Sequence, residues 1–190
     1  MSDPRRSVLA LVLAALAAAA AAYFAKDALI PPAAPAPGAS RAAAAKPTAP
    51  AGPLLVLGRD GTRRDLASKS RKALILHFWA TWCAPCREEM PELVKFVRDT
   101  KDDTRVEFLA VSTDEDWKVV DAWLKERGIS GLPVALDPRG AIAGRYGATG
   151  YPETFFIAPS GEIVQHFVGP ADWSKAQVRT FAAEFSRLGE

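Results

Sequence analysis

Two hydrophobic periods alternate along residues 53–190. Residues 73–79, Ala-Leu-Ile-Leu-His-Phe-Trp, form an almost unbroken apolar run of the length of a buried strand, and residues 105–112 read as another buried strand. Between them, residues 83–100 read as a helix. Residues 117–127 place Trp117, Val120 and Leu124 on one helical face, and Gly128 ends that helix. A short strand at 134–136 and a short helix at 141–146 come next; residues 153–158 and 163–168 then flank the turn Pro159-Ser160-Gly161 as a hairpin, and 174–188 closes as a helix. Ahead of all these, residues 54–57 and the turn Arg59-Asp60-Gly61-Thr62 predict a leading hairpin. The order predicts an α/β fold: a central mixed β-sheet flanked by helices on both faces, with an N-terminal β-hairpin extension.

The first 52 residues break the pattern and divide the chain into three parts. Arg5 and Arg6 precede residues 8–25, which carry no formal charge and are rich in alanine. Residues 1–30 therefore read either as a signal peptide, with small residues around Ala20 and Ala22 as the cleavage site, or as a signal anchor with Tyr23 and Phe24 at the membrane interface. Both readings export the remainder of the chain, because the positive charge lies on the N-terminal side. Residues 31–52 are mostly Pro, Ala and Gly, a linker that buries too little apolar surface to fold and favours extended conformations. The third part, 53–190, is the predicted domain.

Charge separates these parts. Of 24 Lys and Arg against 22 Asp and Glu, residues 1–52 hold five and two, which leaves the domain 19 and 20. No basic excess remains to attract nucleic acid, and that function class is excluded.

Chemistry concentrates at the chain's two cysteines, Cys83 and Cys86. Their loop is too short to restrain much of the chain, so a structural staple is a poor reason for them. Residues at i and i+3 share a helical face, within the distance a disulfide spans. Cys83 sits where a strand ends and a helix begins; unpaired N–H groups and the helix dipole there favour a thiolate and make it the nucleophile. Cys86, one turn inside, is the resolving thiol. The alternative is a copper(I)-binding metallochaperone using the same two soft thiolates, for which no third ligand is evident, since His77 falls within a strand and His166 on the final hairpin. No metal is assigned.

Four segments carry a resemblance to the thioredoxin superfamily, and within it to the exported TlpA/ResA-like branch that includes the cytochrome c maturation thioredoxins. They are Phe78-Trp79-Ala80-Thr81-Trp82-Cys83-Ala84-Pro85-Cys86, the continuation Arg87-Glu88-Glu89-Met90-Pro91, the stretch Tyr146-Gly147-Ala148-Thr149-Gly150-Tyr151-Pro152-Glu153-Thr154, and Gly169-Pro170-Ala171-Asp172-Trp173. The resemblance spans residues 53–190 and implies a thioredoxin fold whose redox group is the Cys83–Cys86 disulfide, with no other cofactor. It also implies a cis Pro152 packed against the disulfide, against the alternative of a trans turn, and a Tyr151 backbone that pairs with an extended client. Trp82, Pro85, Tyr151 and Pro152 then form the docking surface.

Two further side chains gain a candidate role from the same resemblance. An acid three residues past the second cysteine, here Glu89, tunes the proton affinity of the pair; the alternative is a solvated helix glutamate like Glu88 or Glu92. Six residues before the first cysteine, where thioredoxins carry a buried Asp and this branch often Asn, stands His77, either a proton carrier or a core histidine with one satisfied hydrogen bond. The implied function is a thiol:disulfide oxidoreductase in the bacterial periplasm, held at the inner membrane by its N-terminal helix. It would be supplied with electrons by a membrane thiol reductant and would reduce a protein client, an apocytochrome c or a copper or oxidase assembly protein.

Overall fold

The computed structural model describes residues 48–50, 53–66 and 72–189. The chain divides into two units, 1–44 and 45–190, and all described residues belong to the second. The predicted signal segment and most of the predicted linker lie outside the described residues. Residues 48–50, read as linker from composition, are paired: Thr48 bridges Glu162, and Ala49 N–H donates to the Gly161 carbonyl at 2.8 Å.

β1 (Leu55–Leu57) and β2 (Arg63–Asp65) pair antiparallel across the Asp60-Gly61 turn, where Asp60 Oδ1 accepts from Thr62 N–H and hydroxyl. The two predicted buried strands become β3 (Ala73–Trp79) and β4 (Val106–Ser112), parallel neighbours at the sheet centre. α1 (Ala84–Thr100) connects them. α2 (Trp117–Glu126) is capped by Asp116, whose carboxylate accepts from Val119 N–H, and leads to β5 (Val134–Leu136), parallel to β4. α3 (Ala141–Arg145) precedes β6 (Glu153–Ile157), β7 (Ile163–Val168) and α4 (Ala176–Ser186). The seven strands run in the order β2-β1-β5-β4-β3-β6-β7, and β3 lies between parallel β4 and antiparallel β6.

Alternation along β3 splits the core between the two sheet faces. Ile75 and Trp79 join Met90, Leu93 and Phe96 of α1, Val120 and Trp123 of α2 and Phe185 of α4 on one face. Leu76 and Phe78 point to the other, with Leu109, Phe155 and, from α3, Ile142 and Ala143. His77 shares the parity of Ile75 and Trp79, and its ring lies 6.3 Å from that of Phe108 and 6.2 Å from that of Trp173. The histidine is thus turned toward α1, the helix that carries the cysteines.

Candidate active site

The site forms where β3 ends. Cys83 is the cap of α1 and not its first residue: its backbone is extended (φ −78°, ψ 111°) and its Sγ accepts from Cys86 N–H at 3.2 Å. Pro85, in the first turn, costs no hydrogen bond because the first N–H groups of a helix have no carbonyl partner. Cys83 and Cys86 form a disulfide with S–S 2.08 Å and Cα–Cα 5.3 Å. Cys86 is wholly buried and Cys83 is 5% exposed, so the first sulfur is the approachable one.

Opposite the disulfide lies the loop before β6. The Tyr151–Pro152 bond is cis, and the Tyr151 carbonyl oxygen is 3.4 Å from Cys83 Sγ. Pro152 is buried and Pro85 half-buried. Trp82 is 64% exposed, and its ring meets Tyr151 edge-on with centroids 5.8 Å apart. The two aromatics border a cleft of about 540 Å³ whose other walls include Thr113, Val119 and Arg139. Gly140 has φ +69°, and a Cβ there would lie 2.5 Å from the Tyr151 hydroxyl, so the close approach of that ring requires glycine.

Three buried carboxylates hold the loops around the sulfurs. Asp114, 4% exposed, accepts from Thr81 N–H (2.9 Å), Thr81 Oγ1 (2.7 Å) and Ser112 Oγ (2.7 Å), fixing the turn before Cys83. Glu153, 1% exposed, accepts at Oε1 from Thr149 N–H (2.8 Å) and Gly150 N–H (3.0 Å), the residues before Tyr151. Glu89 accepts at Oε2 from Ala171 N–H (2.8 Å) and Trp173 Nε1–H (3.2 Å), which draws the segment after β7 onto α1.

Glu89 is therefore not a solvated helix glutamate; it is 7% exposed, whereas Glu88 and Glu92 are exposed. Its second oxygen, Oε1, is 3.3 Å from Nε2 of the wholly buried His77, whose Nδ1 is 2.9 Å from Thr154 Oγ1. Neither Oε1 nor Nε2 has another hydrogen-bond partner among the described residues. Burial pushes the Glu89 carboxyl up from 4.5 to about 7 despite the Ala171 and Trp173 donors, and pushes the His77 imidazole down to about 3. A single proton placed between Oε1 and Nε2 serves both atoms.

All eight residues singled out from the sequence occur in this region in two groups. Trp82, Cys83 and Pro85 lie at the start of α1 and Tyr151 and Pro152 in the loop whose carbonyl faces Cys83 Sγ; Glu89 and His77 meet beneath α1, on the same side of the sheet as Cys86. Sequence reading missed Asp114 and Glu153. A carboxylate two residues before the apolar run Phe155-Phe156-Ile157, in a predicted strand, was a usable signal for Glu153, whereas nothing local marks Asp114 as buried. Among the described residues no three His, Cys, Asp or Glu side chains gather as metal ligands, and no helix is long and apolar enough to cross a membrane.

The chain is similar to known proteins. The AhpC/TSA family matches residues 47–166. The thiol-disulfide oxidoreductase ResA of Bacillus anthracis is 32% identical over 115 residues, 60% of this chain and 65% of ResA, so the match spans a little under two thirds of that relative. The thiol:disulfide interchange protein HelX of Rhodobacter capsulatus is 31% identical over 134 residues, covering 70% of this chain and 73% of HelX. Among solved structures, StoA from Bacillus subtilis superposes with a TM-score of 0.58 at 26% identity, over 72% of this chain and 99% of StoA. With its mixed sheet, its helix-capping cysteine pair and these relatives, the chain belongs to the thioredoxin-like AhpC/TSA family.

Proposed function

We propose that this chain is an extracytoplasmic thiol:disulfide oxidoreductase that reduces a disulfide in a protein client. The observation that carries the reading is the asymmetry of the pair: one approachable sulfur, Cys83, receives the Cys86 N–H at the start of a 17-residue helix, and its partner is wholly buried. That N–H and the helix dipole favour negative charge on Cys83 once the disulfide is reduced. The Cys83 thiolate attacks one client sulfur; the client disulfide breaks and its other sulfur leaves as a thiolate. The Cys86 thiolate then attacks Cys83 Sγ, the mixed disulfide breaks, and the second client sulfur leaves. Two electrons pass to the client, which takes up two protons, and the Cys83–Cys86 disulfide of this structure is the product state.

Docking and proton handling rest on the same geometry. Neither the N–H nor the carbonyl of Tyr151 takes part in a backbone hydrogen bond among the described residues, and the carbonyl faces Cys83 Sγ, which suits pairing with an extended client strand. Trp82, Pro85 and Pro152 frame that edge. Glu89, one turn past Cys86 and with an affinity near neutrality, is matched to accept the proton Cys86 must lose before it attacks, with His77 as its relay. A membrane thiol reductant restores the dithiol, and the N-terminal segment holds the domain in the periplasm at the inner membrane. The resemblance to the cytochrome c maturation thioredoxins suggests an apocytochrome c or a copper or oxidase assembly protein as the client.

A Cys86→Ser variant tests the reading, because it leaves Cys83 unable to release a mixed disulfide. Expressed in a host with a periplasm, it should accumulate a disulfide-linked partner that mass spectrometry identifies by a Cys83-linked peptide. Absence of any such adduct, together with failure of the reduced wild-type protein to reduce insulin, would overturn it.

A further inference from the structure

We propose that Glu153 and His166 are positioning residues that brace the client-docking loop, setting where the Tyr151 backbone stands relative to Cys83. This rests on the oxidoreductase reading and adds to it a device for recognising protein disulfides over small ones.

The loop is fixed at both of its ends, and one side chain does much of the fixing. Glu153 is anchored in the sheet, opposite Phe78 on β3 and Val168 on β7. From that position its Oε1 turns back to take Thr149 N–H (2.8 Å), Thr149 Oγ1 (3.2 Å) and Gly150 N–H (3.0 Å). On the other side of Tyr151, the Pro152 carbonyl accepts from Gly169 N–H at 2.9 Å. Tyr151 is thus suspended between two tethered neighbours, with its carbonyl 3.4 Å from Cys83 Sγ.

Oε2 is committed elsewhere. It lies 2.6 Å from Nε2 of His166, whose ring stacks on Phe155 with centroids 4.0 Å apart and planes within 14°. Stacking fixes the direction of that nitrogen, and the side chain remains 34% exposed, so the brace has one member in solvent. A carboxylate buried to this degree is costly unless each oxygen has a donor, and here both have one. Burial alone would raise its proton affinity; the Thr149 N–H, His166 and Gly150 N–H outweigh it and hold Glu153 below the ordinary carboxylate range, an anion at neutral pH. The following strand residues Phe155, Phe156 and Ile157 are buried and apolar, so a charge at 153 serves the loop and not the packing of the sheet.

The test compares a substrate that needs the loop with one that does not. Full-length protein is prereduced, and single-turnover rate constants are measured with insulin and with hydroxyethyl disulfide, which has no peptide backbone to pair with Tyr151. Glu153→Ala should lower the insulin rate on the order of tenfold to a hundredfold and change the hydroxyethyl disulfide rate by less than about twofold. Glu153→Gln, which keeps an acceptor for the two loop N–H groups, should recover most of the insulin rate. His166→Leu tests the brace even if Glu153→Ala fails to fold: it should lower the insulin-to-small-disulfide ratio by about threefold, and His166→Gln, with an amide donor, should restore it. A ratio that stays at the wild-type value in Glu153→Ala, or in His166→Leu where the first variant does not fold, overturns the proposal. Wild-type protein that reduces neither substrate would instead overturn the oxidoreductase reading.

Discussion

Replacing either member of the buried Glu89–His77 pair should tilt the pH dependence of stability, and in opposite directions. Burial raises Glu89 from 4.5 to about 7 and lowers His77 from 6.5 to about 3. Between pH 4.5 and 6.5 the unfolded chain carries one proton on these two residues, on the histidine. The folded chain also carries one, whether on Oε1 or on Nε2, so the two contributions to the slope cancel in the wild-type protein. Glu89→Gln keeps an acceptor for Ala171 N–H and Trp173 Nε1–H but leaves the depressed histidine alone. Its contribution is fully present above pH 6.5 and is lost as pH falls toward the folded value. Over the two pH units from 6.5 to 4.5 the loss is about 3 kcal/mol, at about 1.4 kcal/mol per unit. His77→Asn leaves the raised carboxyl alone. Its contribution is fully present below pH 4.5 and is lost as pH rises toward 7, by about 3 kcal/mol over the same window. Urea unfolding of the oxidised proteins at half-unit steps, each variant referred to the wild-type value at the same pH, removes the background from all other groups. Parallel profiles for the three proteins would refute the coupled-proton account.

Three other outcomes are expected at the site. If Glu89 receives the Cys86 proton, Glu89→Gln should flatten the pH dependence of client release from the mixed disulfide around pH 7, monitored by stopped-flow Trp fluorescence; an unchanged profile would remove Glu89 from the proton path. Asp114→Ala strands Thr81 N–H, Thr81 Oγ1 and Ser112 Oγ without their acceptor and should cost on the order of 3 kcal/mol in urea unfolding, with Asp114→Asn losing less. Gly140→Ala places a methyl group 2.5 Å from the Tyr151 hydroxyl at φ +69°. It should cost about 1–2 kcal/mol and displace Tyr151, slowing insulin reduction more than hydroxyethyl disulfide reduction.

Much of this architecture was legible because it is written in local pattern. β3 is a strongly apolar run, β4 carries the apolar stretch Phe108-Leu109-Ala110-Val111, and β7 occupies residues 163–168 after the predicted turn. The cysteine spacing also announced the chemistry. The boundary at Cys83 shifted because the residue is a cap, and sulfur is an unusual capping acceptor that periodicity does not reveal. The acids resisted reading for a different reason. Glu88, Glu89 and Glu92 look alike along α1, and what distinguishes Glu89 is a pair of donors, Ala171 and Trp173, 82 and 84 residues away. His77 could be placed on a strand, but its meeting with Glu89 depends on how α1 lies over the sheet. Asp114 and Glu153 act on loops brought to them by the sheet, so their task becomes visible only after strands pair.

The burial of Cys86 behind Cys83 has a kinetic corollary. On the proposed dithiol cycle, with Cys86 wholly buried and Cys83 the approachable sulfur, the reductant that recharges the dithiol and the client that discharges it use the same doorway, one after the other. On that cycle no ternary complex forms, the two partners compete, and turnover should take the ping-pong form in which double-reciprocal plots at different reductant concentrations run parallel. The same cycle would have both partners meet the rim of Trp82 and Tyr151, with the oxidation state of the cysteine pair deciding which of them departs changed.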